Sequence, residues 1–257
     1  NDLTYSVGEL PSPEADGTQY LRGGNWKLER ASEVSATGEQ LSTAGYTDDS
    51  WLPATVPGTV LTSYKNAGAV PDMRVADNIL QISDSYFTAD FWYRDAFVIP
   101  KEQEGKRTWL NFISINWKAD VYFNGEKLGD IQGAFIRGKF DITALANYGG
   151  ENYLAVYIHK NDHPDKVDLK NSKYAGHNGG AIVRDNPTIA ASVGWDWIPT
   201  MPGRNIGIYG DVFVNYTDDV LVADPLVTTK LSNNNKTATL TVKALLSNAS
   251  DKEVNTV

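Results

Sequence analysis

Short stretches of alternating apolar and polar residues recur at intervals of roughly ten residues along most of this 257-residue chain. Two of them end at clear breaks, because Phe91 to Ile99 stops at Pro100 and Ala119 to Phe123 runs into Asn124-Gly125. Asn-Gly is the strongest short hairpin signal, since a type I′ turn needs positive φ at both positions. Further strands of this kind are predicted at 107–113, 135–141, 153–158 and 208–216. The pattern predicts an all-β protein built as a β-sandwich or jelly roll.

The composition and patterning of the sequence change in two places, near residues 20 and 217, and these changes suggest the domain boundaries. Residues 1–20 are polar and proline-containing, which predicts a loosely held N-terminal extension before a sandwich at 21–217. Within that sandwich, residues 59–68 are predicted to form one or two helical turns that end at Gly68. Residues 218–257 hold two more alternating strands around a polar turn, as expected for the start of a second sandwich. An immunoglobulin-like sandwich needs about 100 residues, so this second one is predicted to be incomplete.

Charge and composition narrow the possible partners. The net charge of −9 opposes binding to a phosphate backbone, so a nucleic-acid partner is not expected. There is no apolar run of the length that a membrane helix needs, so no membrane partner is expected either. The chain has no cysteine, which excludes disulfides, thiolate metal sites and a cysteine nucleophile. A sandwich of this size can bury enough core without disulfides, so the composition is compatible with export.

Six motifs follow one another along the predicted sandwich: Val-Pro-Gly-Thr-Val-Leu-Thr-Ser-Tyr at 56–64, Asp-Phe-Trp-Tyr-Arg at 90–94, Ile-Asn-Trp-Lys-Ala-Asp-Val-Tyr-Phe-Asn-Gly-Glu-Lys-Leu-Gly at 115–129, Phe-Asp-Ile-Thr at 140–143, Asn-Tyr-Leu-Ala-Val at 152–156, and Gly-Trp-Asp-Trp-Ile-Pro at 194–199. Together they resemble the N-terminal sugar-binding domain of glycoside hydrolase family two. The first and last of them are similar to the β-mannosidase and exo-β-glucosaminidase branch. Tyr209 departs mildly from that branch, where a tryptophan is expected.

The resemblance implies a galactose-binding-like jelly roll, then an immunoglobulin-like sandwich, then a (β/α)8 barrel that carries two catalytic glutamates. A barrel needs about 250 residues of its own, and strands already occupy this chain. The acid/base glutamate of the family follows an asparagine, and the sequence contains no Asn-Glu dipeptide. We therefore expect no catalytic residue here and predict a non-catalytic front part of an exo-acting β-glycosidase. A carbohydrate and the protein's own barrel domain are the expected partners, and a periplasmic or secreted location is expected from the family.

The best candidate for a substrate contact is Trp195-Asp196-Trp197, in a glycine- and proline-rich stretch between the last predicted strands. Aromatic rings stack on the apolar face of a sugar, and a carboxylate accepts hydrogen bonds from its hydroxyl groups. The resemblance gives Asp196 a contact with the non-reducing sugar, with Trp195 or Trp197 beside it. Arg204 would support Asp196 or bind a hydroxyl group. The alternative is that both tryptophans point to one side of a strand and belong to the core.

The histidines do not form a convincing metal site. His159 and His163 have a spacing that suits zinc on a helix, but Pro164 and the polar sequence oppose a helix there. We therefore expect an exposed polar loop and no cofactor, with an oxygen-ligated structural calcium ion as an open alternative. Asn116 and Trp117, just before a strand, are expected to pack in the core rather than to form a domain interface.

Three functional hypotheses follow from the sequence. The first is a family two domain that contributes a substrate-facing loop and an interdomain surface. The second is an independent carbohydrate-binding module with a tryptophan platform. The third is a purely structural domain that docks on the barrel.

Overall fold

The computed structural model describes residues 17–160 and 205–255, and it confirms the predicted all-β sandwich. All the strand pairs in its sheets are antiparallel. One layer is a four-stranded sheet in the order β1 (Gln19–Tyr20), β12 (Val212–Thr217), β6 (Arg107–Phe112) and β9 (Gly138–Asp141).

The other layer is a six-stranded sheet in the order β3 (Leu52–Pro53), β2 (Lys27–Arg30), β5 (Phe91–Val98), β10 (Glu151–Ile158), β7 (Lys118–Phe123) and β8 (Glu126–Gln132). A short ladder joins β4 (Gly58–Thr59) to β11 (Gly207–Ile208). The described helices are α1 (Gly38–Leu41), α2 (Val60–Asn66) and α3 (Asn78–Gln81), with 3₁₀ turns at Ala31–Glu33, Asp84–Tyr86 and Lys101–Gln103.

The period-two pattern of the strands builds the core between the two sheets. On β10, Leu154, Val156 and Ile158 are fully buried and face inward. Their partners on β5 include Tyr93, opposite Val156, and Phe91, opposite Ile158. The four-stranded sheet closes the core from the other side with these residues: Leu110, Phe112, Val212 and Val214. A slip of one residue in any of these ladders would turn its apolar set to solvent, so the alternation fixes the register.

The six-stranded sheet is also covered on part of its outer face. Trp92 and Ala155 form a second apolar cluster there with Leu41 and Trp51 from the segment that holds α1. Arg94 lies on the same face, where its guanidinium donates to the carbonyl oxygens of Leu41 and Thr43 and pairs with Asp48. β5 is therefore buried on both faces, which explains its nearly continuous apolar sequence.

The turn and helix predictions hold, and a first short strand lies just before the predicted start of the sandwich at residue 21. Asn124 and Gly125 have φ values of 46° and 89° between β7 and β8, as a type I′ hairpin requires. α2 occupies the predicted helical stretch at 59–68, with the Thr59 side chain as its N-cap. The last two residues of the stretch predicted as a loose extension, Gln19 and Tyr20, form β1 and pair with β12. Two residues are too short to show a periodic pattern, so the sequence could not reveal this strand.

Residues after 217 form a long hairpin of β13 (Val220–Leu231) and β14 (Ala238–Asn248). One of its faces carries large apolar side chains that are all more than half exposed: Val222, Val227, Leu231, Leu240, Val242 and Leu246. A two-stranded hairpin with an uncovered apolar face is at best marginally stable by itself. The immunoglobulin-like interpretation of 218–257 stays a prediction. No helix among the described residues has the length and apolarity to cross a membrane.

One carboxyl group lies inside the sandwich. Asp95 alternates with Tyr93 and Phe97 on the inward side of β5 and is 3% exposed. Burial raises its pKa to about 8, although the Ala96 N–H group donates to its Oδ1 at 2.9 Å and the charge of Arg94 acts in the opposite direction. Asp95 is therefore protonated in the folded protein at pH values where an unfolded chain has released the proton.

This environment predicts that Asp95→Asn stabilises the protein increasingly as the pH rises. An unfolded Asp has a pKa of about 3.9, so between that pH and about 8 only the folded state keeps the proton. Stability then falls with rising pH by up to about 1.4 kcal/mol per pH unit, and asparagine removes this loss. Thermal unfolding followed by circular dichroism should show a gap in Tm between variant and parent that widens from pH 4.5 to pH 7.5. The exposed Asp49→Asn is the control, and a gap that does not depend on pH would contradict the prediction.

Candidate functional site

Several loops meet at one end of the sandwich, which we call the loop end. It comprises Asp90, Asn116–Lys118, Gly133–Arg137, His159–Lys160 and Asn205–Tyr209. Strand register brings these loops together, since Phe91 pairs with Ile158 and Ile158 pairs with Ala119. The two residues that flank positions 161–204, Lys160 and Asn205, both belong to this end. Binding sites on β-sandwiches are commonly built from such loop clusters on a fixed scaffold.

Three consecutive residues connect the chain on both sides of positions 161–204. The Asn116 N–H group donates to the Gly207 carbonyl oxygen at 2.9 Å, and the Gly207 N–H group donates back at 3.3 Å. The carbonyl oxygen of Lys118 accepts from the His159 N–H group at 3.0 Å. The carbonyl oxygen of Trp117, between them, accepts from Gly133 at 2.7 Å. This span therefore ties four chain segments together at the loop end.

Side chains hold the chain just before position 161. An Asp90 Oδ1 oxygen accepts the Lys160 N–H group at 2.8 Å. The Nε2 atom of His159 lies 2.8 Å from Asp120 Oδ2, and Lys127 Nζ lies 2.7 Å from Asp120 Oδ1. Partial burial by itself would raise the pKa of Asp120, but these hydrogen bonds from Lys127 and His159 hold it below its usual value. Asp120 is therefore an ionised anchor at neutral pH.

The chain just after position 204 is held by close backbone packing. Gly207 has a φ of +136°, and a Cβ atom there would lie 2.9 Å from the Tyr93 hydroxyl oxygen and 3.0 Å from the Thr59 Cα and Val60 N atoms. Ile206 accepts a hydrogen bond from the Val60 N–H group at 2.9 Å, at the start of α2. Glycine is needed here because both the conformation and the space exclude a side chain.

Two large exposed apolar side chains lie in the loop end, those of Phe135 at 70% and Ile136 at 55%. The other large apolar residues exposed in the described sandwich are Val75, Leu80 and Tyr86 in the connection from β4 to β5, Ile113 between β6 and β7, and Val98 at the far end of β5. An exposed apolar pair beside a loop cluster is typical of a surface that meets another body.

The predicted substrate contacts Trp195, Asp196, Trp197 and Arg204 all lie outside the described residues, so their roles stay predictions. His163 lies outside them as well, whereas His159 is described and pairs with Asp120. Among residues 17–160 and 205–255, no three histidines or carboxylates are grouped to hold a metal ion.

Asn116 and Trp117 were both expected to pack in the core, and only Asn116 does so. Asn116 is fully buried, whereas Trp117 is partly exposed at the loop end. Its ring carries the Lys118 ammonium 4.6 Å from the centroid. The anchors Asp90 and Asp120 were not singled out as site residues, although both lie inside motifs of the resemblance, at 90–94 and 115–129. Neither motif shows which residue its carboxylate meets, because the partners lie far away in sequence.

Comparison with known proteins identifies the family of the domain. The model for the glycosyl hydrolase 2 galactose-binding domain-like family matches residues 26–210. The chain belongs to this family. The matched range contains all residues of the loop end and also positions 161–204, and the match confirms the family and the jelly-roll fold predicted from the motifs.

Relatives share this domain but are much longer. A mannosylglycoprotein endo-beta-mannosidase from Lilium longiflorum is 36% identical over 217 residues, which are 81% of this chain and 22% of that protein. An exo-beta-D-glucosaminidase from Streptomyces avermitilis is 29% identical over 248 residues, which are 95% of this chain and 24% of the relative. The family two domain described here therefore spans less than a quarter of the length of either relative.

Solved structures support the same fold. The exo-chitosanase from Amycolatopsis orientalis superposes with a TM-score of 0.71 at 26% identity, over 91% of this chain and 24% of that one. A beta-D-mannosidase from Dictyoglomus thermophilum gives a TM-score of 0.66 at 24% identity, over 90% of this chain and 26% of that one, which supports the fold alone.

The packing at Gly207 predicts that Gly207→Ala destabilises the domain by about 2 kcal/mol or more, through the strained φ and the close Thr59 backbone. Urea unfolding checks this as a lower midpoint with an unchanged slope. The control is Gly45→Ala, where an added Cβ atom meets nothing within 4 Å, and it should change stability by less than about 0.5 kcal/mol. Equal stability of the two variants would contradict the assigned packing.

Proposed function

We propose that this chain is the non-catalytic, substrate-facing domain of a family two exo-acting β-glycosidase. The observation that carries the proposal is the anchoring of the chain on both sides of positions 161–204 at one end of the sandwich, through Asp90, Asp120 and Gly207. The anchored flanks support a functional role for the 44 residues between them, since connections of this length in compact domains are usually functional.

Within this proposal the segment 161–204 supplies one wall of a sugar site. Asp196 accepts hydrogen bonds from hydroxyl groups of the non-reducing sugar, and Trp195 and Trp197 stack on its apolar face. Arg204 supports the carboxylate of Asp196. The reaction itself is left to a pair of glutamates on a separate barrel domain, about 5–5.5 Å apart if the enzyme retains configuration. The length of the relatives supports this division, because the family domain fills less than a quarter of each.

The exposed apolar residues of the loop end fit the same proposal. Phe135 and Ile136 form a projecting apolar pair beside the anchors of the segment, and the larger body would bury them. A barrel docked here would meet the segment that carries Asp196 and cover the apolar surface at the same time. The domain would thus be both a wall of the site and a docking module.

The proposal predicts that Asp196→Ala in the longer enzyme lowers kcat/KM by about 100-fold, since a lost hydrogen bond to a charged group costs about 1.5–3 kcal/mol. The parent enzyme is first assayed on aryl β-mannosides, β-galactosides and β-glucosaminides. The substrate that it cleaves is then used to measure kcat/KM for every variant. Asp165→Ala is the matched control in the same segment and should stay within twofold. An unchanged kcat/KM for Asp196→Ala would overturn the proposal, as would cleavage by the isolated chain.

If the barrel docks on Phe135 and Ile136, substitutions of these two residues should lower the free energy of unfolding of the longer enzyme more than that of the isolated chain. The double variant Phe135→Ser, Ile136→Ser should change the stability of the isolated chain by less than about 0.5 kcal/mol, because both side chains are exposed there. In the longer enzyme it should cost about 2 kcal/mol or more from lost burial.

Val98→Ser serves as the control, because Val98 is exposed at the opposite end and should behave alike in both proteins. Chemical denaturation of both proteins measures the difference. Equal effects of the double variant in both would argue against docking at the loop end.

An independent carbohydrate-binding module would behave differently. It predicts glycan affinity of the isolated chain that disappears with Trp195→Ala or Trp197→Ala. Calorimetry of the isolated chain against a panel of β-linked oligosaccharides separates the two functions.

A further inference from the structure

We infer that two ion pairs clamp the base of the β13–β14 hairpin onto the sandwich, so that hairpin and sandwich move as one body near physiological ionic strength. The pairs join Arg107 to Asp219 and Arg137 to Asp224. Both arginines belong to the sandwich, and both aspartates belong to the hairpin or to the turn that precedes it. The inference goes beyond the proposed function, because it concerns the position of the hairpin and involves no sugar contact.

The first ion pair fixes the point at which the chain leaves the sandwich. Arg107 begins β6 and pairs in register with Thr217, the last residue of β12. Its Nε atom lies 3.2 Å from Asp219 Oδ1, and its Nη1 atom lies 3.8 Å from Asp141 Oδ2 at the end of β9. The carbonyl oxygen of Asp219 also accepts the N–H group of Ala249 at 2.8 Å, just after β14. Asp219 therefore connects both strands of the hairpin base to Arg107.

The second ion pair depends on a bulge in β13. The ladder to β14 shifts register between Ala223 and Leu226, and Asp224 inside that shift has a φ of 50°. Bulges commonly turn a side chain in a new direction, and here Asp224 Oδ1 accepts a hydrogen bond from Arg137. Arg137 directly precedes β9, whereas the first pair lies beside the last residue of β9. The two ion pairs thus lie at opposite ends of this edge strand.

Burial along β13 agrees with attachment at these two points. Leu221 and Ala223 are partly buried while Val222 between them is 62% exposed, as expected if one side of this stretch faces the sandwich. After the bulge, Leu226 and Val227 point to opposite faces of the hairpin and are both more than half exposed. The stretch that is partly buried therefore ends where the second ion pair lies.

The clamp is electrostatic and lies at the surface. The side chains of Arg137 and Asp224 are 63% and 50% exposed, and that of Asp219 is 54% exposed. Exposed ion pairs add little to the stability of a fold, and salt screens them. Two such pairs can still select one position of the hairpin, because the second pair forms within one molecule once the first is in place. Loss of the clamp should therefore change the position of the hairpin and leave the sandwich folded.

The second pair also restrains the loop that carries the apolar pair Phe135 and Ile136. Arg137 directly follows Ile136, and the Ile136 N–H group donates to the Gly133 carbonyl oxygen at 3.3 Å in the same turn. When Arg137 loses Asp224, this turn loses its attachment to the hairpin. Hydrogen exchange at the Ile136 N–H group should report that loss.

Pulsed electron paramagnetic resonance on the 257-residue chain tests the clamp. The chain has no cysteine, so Glu126→Cys and Lys243→Cys place one spin label on the sandwich and one on the hairpin, both at exposed positions. The distance distribution between the labels should be narrow near physiological ionic strength. Its width should increase about twofold or more in about 1 M NaCl, where the Debye length falls to about 3 Å. Asp224→Asn should broaden it likewise, since asparagine tolerates the positive φ but carries no charge.

Matched variants separate the clamp from general effects of charge. Arg137→Lys keeps a cation and should keep the narrow distribution, whereas Arg137→Gln together with Asp224→Asn should broaden it no more than either change alone. Glu104→Gln breaks the exposed pair of Lys101 and Glu104, which does not involve the hairpin, and should leave the width unchanged. Exchange at the Ile136 N–H group, followed by NMR, should become about threefold faster with Asp224→Asn and should not change with Glu104→Gln.

A width that responds neither to salt nor to Asp224→Asn would overturn the inference, and so would equal broadening by Glu104→Gln. A broad distribution near physiological ionic strength with the clamp intact would also overturn it. Unchanged exchange at the Ile136 N–H group in a chain whose distribution broadens would reject the restraint on the loop. The salt series needs no substitution in the clamp, so it decides the question even if Asp224→Asn does not fold.

Discussion

The loop end depends on the backbone hydrogen bonds that the span Asn116–Lys118 makes to other chain segments. Asn116 exchanges two hydrogen bonds with Gly207, and Lys118 accepts one from His159, so a stretch of three residues fixes both flanks of a segment 44 positions long. Because β7 begins at Lys118, the register of the six-stranded sheet is transmitted directly to those flanks. The residues that flank the segment are therefore positioned by the sandwich core.

The central strand β5 explains why that core can serve as a fixed reference. It is buried on both faces, between the sandwich interior and the cluster under α1, and its two ionisable residues, Arg94 and Asp95, lie on opposite sides. Arg94 is compensated by carbonyl oxygens and Asp48, which satisfies the rule that buried charges are paired. Asp95 is instead kept neutral by its apolar surroundings. Ion pairing of Arg94 and protonation of Asp95 both allow an ionisable side chain to be buried in β5. Because Asp95 keeps its proton only up to a pH of about 8, it makes the free energy of unfolding depend on pH below that value.

Sequence patterns predicted those features of this domain that depend on interactions between residues close together in the chain. The Asn124-Gly125 hairpin, α2 and the long strands follow from turn chemistry, capping and period-two alternation, which act over a few residues. β1 escaped prediction because a two-residue strand has no period. Asp90 and Asp120 escaped because their partners, Lys160 and His159, are 70 and 39 positions away and meet them only through sheet register. The predicted contacts around Asp196 came from motif resemblance, lie outside the described residues and stay predictions.

The loop end combines two features, the anchored flanks of positions 161–204 and the exposed apolar pair Phe135 and Ile136. Under the proposed function, this domain brings one wall of a sugar site to a separate catalytic barrel. A wall brought by a second domain must be held to within a fraction of an ångström to be useful, which requires both an anchored segment and a fixed interface. The loop end of this domain supplies the two together, with carboxylate and glycine anchors beside a projecting apolar pair at Phe135 and Ile136. Within the proposal, each feature needs the other. Anchored flanks without the apolar pair would belong to a domain that is not fixed against the barrel. The apolar pair without anchored flanks would fix the domain but not the residues on either side of positions 161–204.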